Sequence, residues 1–178
     1  MRNRAVFLDR DGTLIEDKGY LGDPDGVVLL PDVPKRIKAI WDAGWYPIVV
    51  TNQAAVGYGH ITREDVIKVN QRMVDLIEEE MLVFVEDELG ERDGQAPVFP
   101  VFAEAIFCPH RPEDECFCRK PKPGLLYAGA ARFGMDLREC LMIGNAITDI
   151  QAAKAANCPA YKVVNGLGDW DPRQLEKL

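Results

Sequence analysis

Two aspartates, Asp9 and Asp11, stand at i and i+2 where the apolar run Ala5-Val6-Phe7-Leu8 ends, and Gly12-Thr13 follow at once. If the run is a buried strand, it delivers both carboxylates to the strand's carboxyl end, where open α/β sheets bind their ligands. A period of two sends the two side chains toward the same side. Carboxylates that close repel, so the pair calls for a cation or a shared proton. A hard, oxygen-seeking cation such as Mg2+ satisfies that demand. Gly12 permits the tight turn that must follow.

A second constellation is Cys108, His110, Cys116 and Cys118. Three thiols and an imidazole in one short loop form the ligand set of a closed, tetrahedral structural Zn2+ site, with no position left open for catalysis. The chain has five cysteines, and in a reducing compartment such clustering favours metal over disulfide. Cys140 and Cys158 read as core thiols. Directly after the cluster come Arg119, Lys120 and Lys122, a dense basic group in a chain whose net charge is −8.

The elements that must position these residues alternate between strand and helix, which predicts a parallel sheet. Strands are expected at Ala5–Leu8, Tyr46–Thr51, Ala105–Cys108, Cys140–Ile143 and Ala160–Val164. Asp32 is placed to cap a helix bearing Val33, Ile37, Ile40 and Trp41, which Gly44 ends. Thr62 and Asp65 form a capping box for a helix whose apolar stripe is Val66, Val69, Met73, Leu76, Ile77 and Met81. Further helices are expected from Gly124 to Phe133 and from Asp149 to Ala156. Gly19–Pro31 reads as a loop or loose hairpin. The acidic Glu86–Pro100, with two glycines and two prolines, reads as a long connection.

The run Asp9-Arg10-Asp11-Gly12-Thr13 resembles the first motif of the haloacid-dehalogenase-like (HAD) phosphatases. The resemblance implies that Asp9 attacks phosphorus and that Asp11 serves as general acid and then general base. It continues along the chain. Ile48-Val49-Val50-Thr51-Asn52-Gln53 resembles the second motif and assigns phosphate binding to Thr51 and Asn52. Lys120 matches the third motif, which stabilises nucleophile and phosphoryl group. Gly144-Asn145-Ala146-Ile147-Thr148-Asp149 resembles the fourth, making Asn145 a Mg2+ ligand with Asp9 and Asp11, and Asp149 an outer orienting carboxylate. Joined to the cysteine loop and Cys118-Arg119-Lys120-Pro121-Lys122-Pro123-Gly124, these motifs resemble the heptose-bisphosphate and histidinol-phosphate phosphatase branch of the family. That implies a zinc loop shaping the substrate pocket, with Arg119 gripping substrate polar groups by its planar fork.

The expectation is therefore a single α/β domain over residues 1–178: a Rossmann-like parallel sheet with helices on both faces, no separate cap domain and a zinc-binding loop. Its activity is expected to be Mg2+-dependent hydrolysis of a phosphomonoester, the substrate a small phosphorylated sugar and the nearest model a heptose 1,7-bisphosphate 7-phosphatase. Histidinol-phosphate phosphatase is the alternative within the branch. A degenerate member that binds a phosphorylated ligand without turnover is the alternative outside catalysis.

Several positions depart from the pattern. Asn145 replaces an aspartate, so its oxygen carries no charge and metal affinity should fall. Ala54-Ala55, Tyr58 and Ala146 stand where the branch often has Ser-Gly, Arg and Lys. The acidic balance argues against nucleic acid, no apolar window is long enough for a membrane helix, and with no leader visible the protein is expected to be a cytoplasmic monomer.

Overall fold

The computed structural model describes residues 4–89 and 101–177, with the backbone alone for 82–89 and 177. The strands are β1 (Ala5–Leu8), β2 (Tyr46–Asn52), β3 (Glu104–Cys108), β4 (Leu141–Gly144) and β5 (Ala160–Lys162). The α-helices are α1 (Val33–Asp42), α2 (Ala54–Gly57), α3 (Arg63–Leu89), α4 (Gly124–Phe133) and α5 (Ile147–Ala155). All neighbouring strands pair in parallel, in the order β3-β2-β1-β4-β5.

β1 lies at the centre, and every residue of it is buried. Its run of four apolar residues is what a strand covered on both faces requires, in place of an alternating pattern. Val6, Leu8, Val49 and Ile143 point to one face and pack with Val33, Ile37 and Ile40 of α1 and Val69, Met73 and Ile77 of α3. Phe7, Ile48, Val50 and Met142 point to the other face, against Leu125, Leu126 and Ala130 of α4 and Ala152 and Ala153 of α5. The expected doubly covered parallel sheet is the observed one.

Local departures have local causes. β4 begins one residue later than expected because the Cys140 amide closes a turn onto Leu137 O. β5 stops at Lys162. α5 starts at Ile147, two residues early, since Asp149 Oδ2 accepts the Ala146 amide at 3.0 Å. Asp32 stands at the start of α1 in the left-handed region (φ 61°) and makes no side-chain cap. The Thr62–Asp65 box does form, at 2.8 and 3.1 Å. α3 runs on through Leu89, so the start of Glu86–Pro100 is helical and residues 90–100 lie outside the described ones. The loop after β1 folds back on itself: Gly12 N donates to Ile15 O at 2.8 Å, and Ile15 bridges Leu29.

Candidate active site and metal centre

Strand register sets the geometry. β1 and β2 sit side by side, with Leu8 opposite Val49, so their carboxyl ends open on the same edge. β4 borders β1 on its other side. The chain leaves β1 between neighbours reached by opposite crossovers, the place where open α/β sheets form their binding crevice.

Asp9 is 8% exposed. Its Oδ1 accepts the Arg10 amide at 2.8 Å and meets Lys120 Nζ at 2.8 Å. Lys120, itself 3% exposed, also pairs with Asp149 at 2.6 Å and donates to Val50 O at 2.8 Å. One ammonium is thus enclosed by two buried carboxylates and a carbonyl. Burial works against the Lys120 charge, but Asp9 and then Asp149 outweigh it and hold its pKa above the usual lysine range. Burial pushes the Asp9 carboxyl up; Lys120 opposes this and Asp149 adds to it. Gly144 makes room for this triad, since a Cβ there would lie 2.2 Å from Asp149 Oδ2.

Lys120 arrives on the loop between β3 and α4, and Asn52 fixes that loop. The Asn52 side chain donates to Lys120 O at 3.0 Å and accepts from Lys120 N at 3.1 Å. This clasp uses both ends of the amide, so Asn52 orients the loop that carries Lys120. The clasp uses the amide carbonyl and one of the two N–H donors, so a second N–H remains for the phosphate contact expected of Asn52. Thr51 is buried at the end of β2, its hydroxyl 3.4 Å from Asp11 Oδ2. Asn145 packs against the turn at Gly12, where an added Cβ would sit 2.9 Å from Asn145 Cγ. The first and fourth motifs therefore meet at one corner, and the Asn145 amide has no hydrogen-bond partner among the described residues.

Three residues that the sequence pattern does not single out complete the surroundings of Asp11. Arg10 has no exposure and Gln53 is 4% exposed, and both donate to the Asp11 carboxylate; Arg10 also reaches Asn70 on α3. The available signal is the type of residue: a charged side chain wedged between two aspartates, and a glutamine completing Thr51-Asn52-Gln53.

Beside Asp11 and Gln53 opens a cavity of about 250 Å³, lined also by Asp17, Tyr20, Tyr58 and Arg119. Tyr20 and His60 stack at 5.1 Å, with Tyr58 6.3 Å from Tyr20. Arg119 donates to His110 O at 3.3 Å, tying this wall to the cysteine loop. A larger, shallower depression of about 770 Å³ on α4 shares no residue with these motifs.

The four metal-type side chains do converge. Ligand atoms of Cys108, His110, Cys116 and Cys118 all lie within 4.8 Å of one another. Sγ of Cys118 is 3.3 Å from Sγ of Cys108 and 3.5 Å from that of Cys116, and His110 Nδ1 is 3.3 Å from Cys118 Sγ. Zinc–ligand bonds of about 2.0–2.3 Å imply edges of roughly 3.5 Å in a tetrahedron, so the cluster is shaped for one ion. Gly124 lets α4 begin against this loop: a Cβ there would fall 2.5 Å from Phe117 O.

Comparisons with known proteins agree with this geometry. A family model described as HAD-hydrolase-like matches residues 117–176. The chain is 35% identical over 162 residues to a D-glycero-beta-D-manno-heptose-1,7-bisphosphate 7-phosphatase of Mesorhizobium japonicum, covering 91% of this chain and 70% of that one. It is 33% identical over 163 residues to the D-glycero-alpha-D-manno-heptose-1,7-bisphosphate 7-phosphatase of Burkholderia mallei, covering 88% and 77%. Among solved structures, the D,D-heptose 1,7-bisphosphate phosphatase of B. bronchiseptica complexed with magnesium and phosphate superimposes with a TM-score of 0.76 at 26% identity, covering 98% of this chain and 87% of that one. A parallel sheet with both aspartates at its open edge, a buried lysine joining Asp9 to the fourth motif and relatives of this identity and coverage lead to one assignment: the chain belongs to the HAD-like phosphatases, in the branch of the heptose-1,7-bisphosphate 7-phosphatases.

Proposed function

We propose that this phosphatase is a Mg2+-dependent phosphomonoesterase of a small phosphorylated sugar, with the heptose 1,7-bisphosphate of its relatives the first substrate to test. The observation that carries the proposal is the Asp9–Lys120–Asp149 arrangement. Lys120 and the Arg10 amide both engage Asp9 Oδ1, and Oδ2, which has no hydrogen-bond partner among the described residues, is the oxygen assigned to attack.

In the first step an Asp9 oxygen forms a bond to phosphorus and the ester P–O bond breaks. Asp11 gives its proton to the departing sugar oxygen. In the second step Asp11 takes a proton from water as the water oxygen bonds to phosphorus. The bond to Asp9 then breaks, inorganic phosphate leaves, and Asp9 returns to its starting state. Thr51 offers its hydroxyl to a phosphoryl oxygen and Arg119 contacts the sugar. Phosphoryl transfer asks chiefly for such positioning and charge stabilisation.

Asp9, Asp11 and Asn145 would hold Mg2+. Their oxygens suit a hard cation, and the unpartnered Asn145 amide at the Gly12 turn supports the fit. The ion, when bound, offsets the charge of the phosphoryl oxygens. Zn2+ would sit among Cys108, His110, Cys116 and Cys118, where four protein ligands give it a structural role.

The test is phosphate release with Mg2+ across a panel containing heptose 1,7-bisphosphate, hexose phosphates and histidinol phosphate. Turnover is expected, greatest on a sugar phosphate. Preference for histidinol phosphate would favour the other enzyme of the branch. Binding of phosphorylated ligands with no turnover of any would favour the degenerate reading that Asn145 and Ala146 suggest.

A further inference from the structure

Arg10 is buried without exposure between the two aspartates. Its Nε lies 3.2 Å from both oxygens of Asp11, and its Nη2 lies 3.1 Å from Oδ1. Its Nη1 donates to Asn70 Oδ1 at 3.0 Å. Asn70 is 9% exposed, two turns into α3. From the end of β2, Gln53 Nε2 donates to Asp11 Oδ2 at 2.8 Å and to Thr51 Oγ1 at 2.9 Å. The Asp11 carboxylate is thus held directly from its own loop and from the end of β2, and α3 braces Arg10 from behind it.

Burying a guanidinium carries a desolvation cost that can exceed what its ion pair returns, so such a pair is weak evidence of a stabilising role. What an arginine adds is a planar fork that fixes a carboxylate in orientation as well as in place. Proton transfer needs such fixing, because the donor must sit within hydrogen-bond reach of the departing oxygen. A misplacement near 1 Å can cost about a hundredfold in rate.

We propose that Arg10, Gln53 and Asn70 form a positioning cradle for Asp11, Arg10 and Gln53 acting on its carboxylate directly and Asn70 acting through Arg10. The proposal rests on Asp11 being the general acid. It makes the long helix α3, through one buried side chain, part of the catalytic geometry.

The test compares kcat/KM on two substrates. A hexose 6-phosphate has a poor leaving group that needs a proton, whereas 4-nitrophenyl phosphate has one that departs without it. The variants are Gln53→Leu and Asn70→Leu, with Asn70→Asp as the conservative replacement that keeps an acceptor for Arg10, and Asp11→Ala as reference. Thermal melts accompany each, and either leucine variant suffices if the other fails to fold. Both leucine variants are expected to lose about 10- to 100-fold on the hexose phosphate and less than about 3-fold on 4-nitrophenyl phosphate, as loss of acid catalysis would. Asn70→Asp is expected to recover most of the loss. Equal losses on the two substrates, or none, would overturn the cradle and leave Arg10 a purely structural ion pair. If Asp11→Ala itself shows no dependence on the leaving group, the general-acid reading fails, and that failure is distinct because it appears in the reference variant.

Discussion

At the residue scale the site is a matter of which charges are enclosed together. Lys120 is held above the ordinary lysine range by Asp9 and Asp149 against the cost of its burial, so it stays protonated through neutral pH. A base raised in the folded state stabilises the fold below its unfolded value and loses that contribution only as pH climbs through the raised one, here above the usual lysine range. Asp9, Asp11, Thr51, Lys120 and Asp149 were legible in the sequence because each stands at the end of an apolar run or in a dense motif. Arg10, Gln53 and Asn70 were not, because their significance comes from contacts across three elements that no spacing reveals. Asn145 gives the prediction proper to this scale. Replacing a charged ligand by a neutral one weakens attraction for a hard cation yet keeps an oxygen in reach. Activity is therefore expected to saturate only at high Mg2+. Asn145→Asp should lower the half-saturating Mg2+ concentration by about tenfold, roughly the worth of one added short-range charge contact. Mg2+ titrations of both proteins on one substrate check this. An unchanged titration would take Asn145 out of the metal shell.

At the scale of elements, strand and helix existence followed from pattern, and the ends did not. The expected helix Gly124–Phe133 matches α4 residue for residue, since Gly124 and the left-handed Gly134 mark both ends. α5 starts two residues before the position that residue type suggests because Asp149 reaches back to cap it from inside the helix. Asp32 looked like a cap by residue type, but its left-handed backbone forms none. The loop between β3 and α4 carries the cysteine cluster, Arg119 and Lys120 on one piece of chain. A closed zinc site contributes folding free energy outright, on the order of 10 kcal/mol in small domains. Purified protein is expected to hold one Zn2+ per chain, and its removal by a chelator to lower Tm by roughly 10 °C or more. Elemental analysis checks the first expectation and a thermal scan with and without chelator the second. Absence of tightly bound metal would contradict the site.

At the scale of the whole molecule, the sheet resolves into two apolar layers, one under α1 and α3 and one under α4 and α5. That architecture was readable from alternating strand and helix patterns alone. What could not be read was the network that links the Asp11 carboxylate to the end of β2 and, through Arg10, to α3, because crossovers decide which side chains meet. The architecture encloses the Asp9 carboxylate, whose charge water would stabilise better. Asp9 is pushed up by burial, so its charge costs the folded state free energy at neutral pH. A neutral isostere should relieve that cost while keeping the Lys120–Asp149 pair. Asp9→Asn is therefore the most direct test of the account. Its Tm is expected to equal or exceed that of the parent protein, while kcat on the best sugar phosphate falls by at least about a thousandfold, since an amide cannot form the aspartyl-phosphate. A folded Asp9→Asn protein that releases phosphate at the parent rate would show that Asp9 is not the nucleophile.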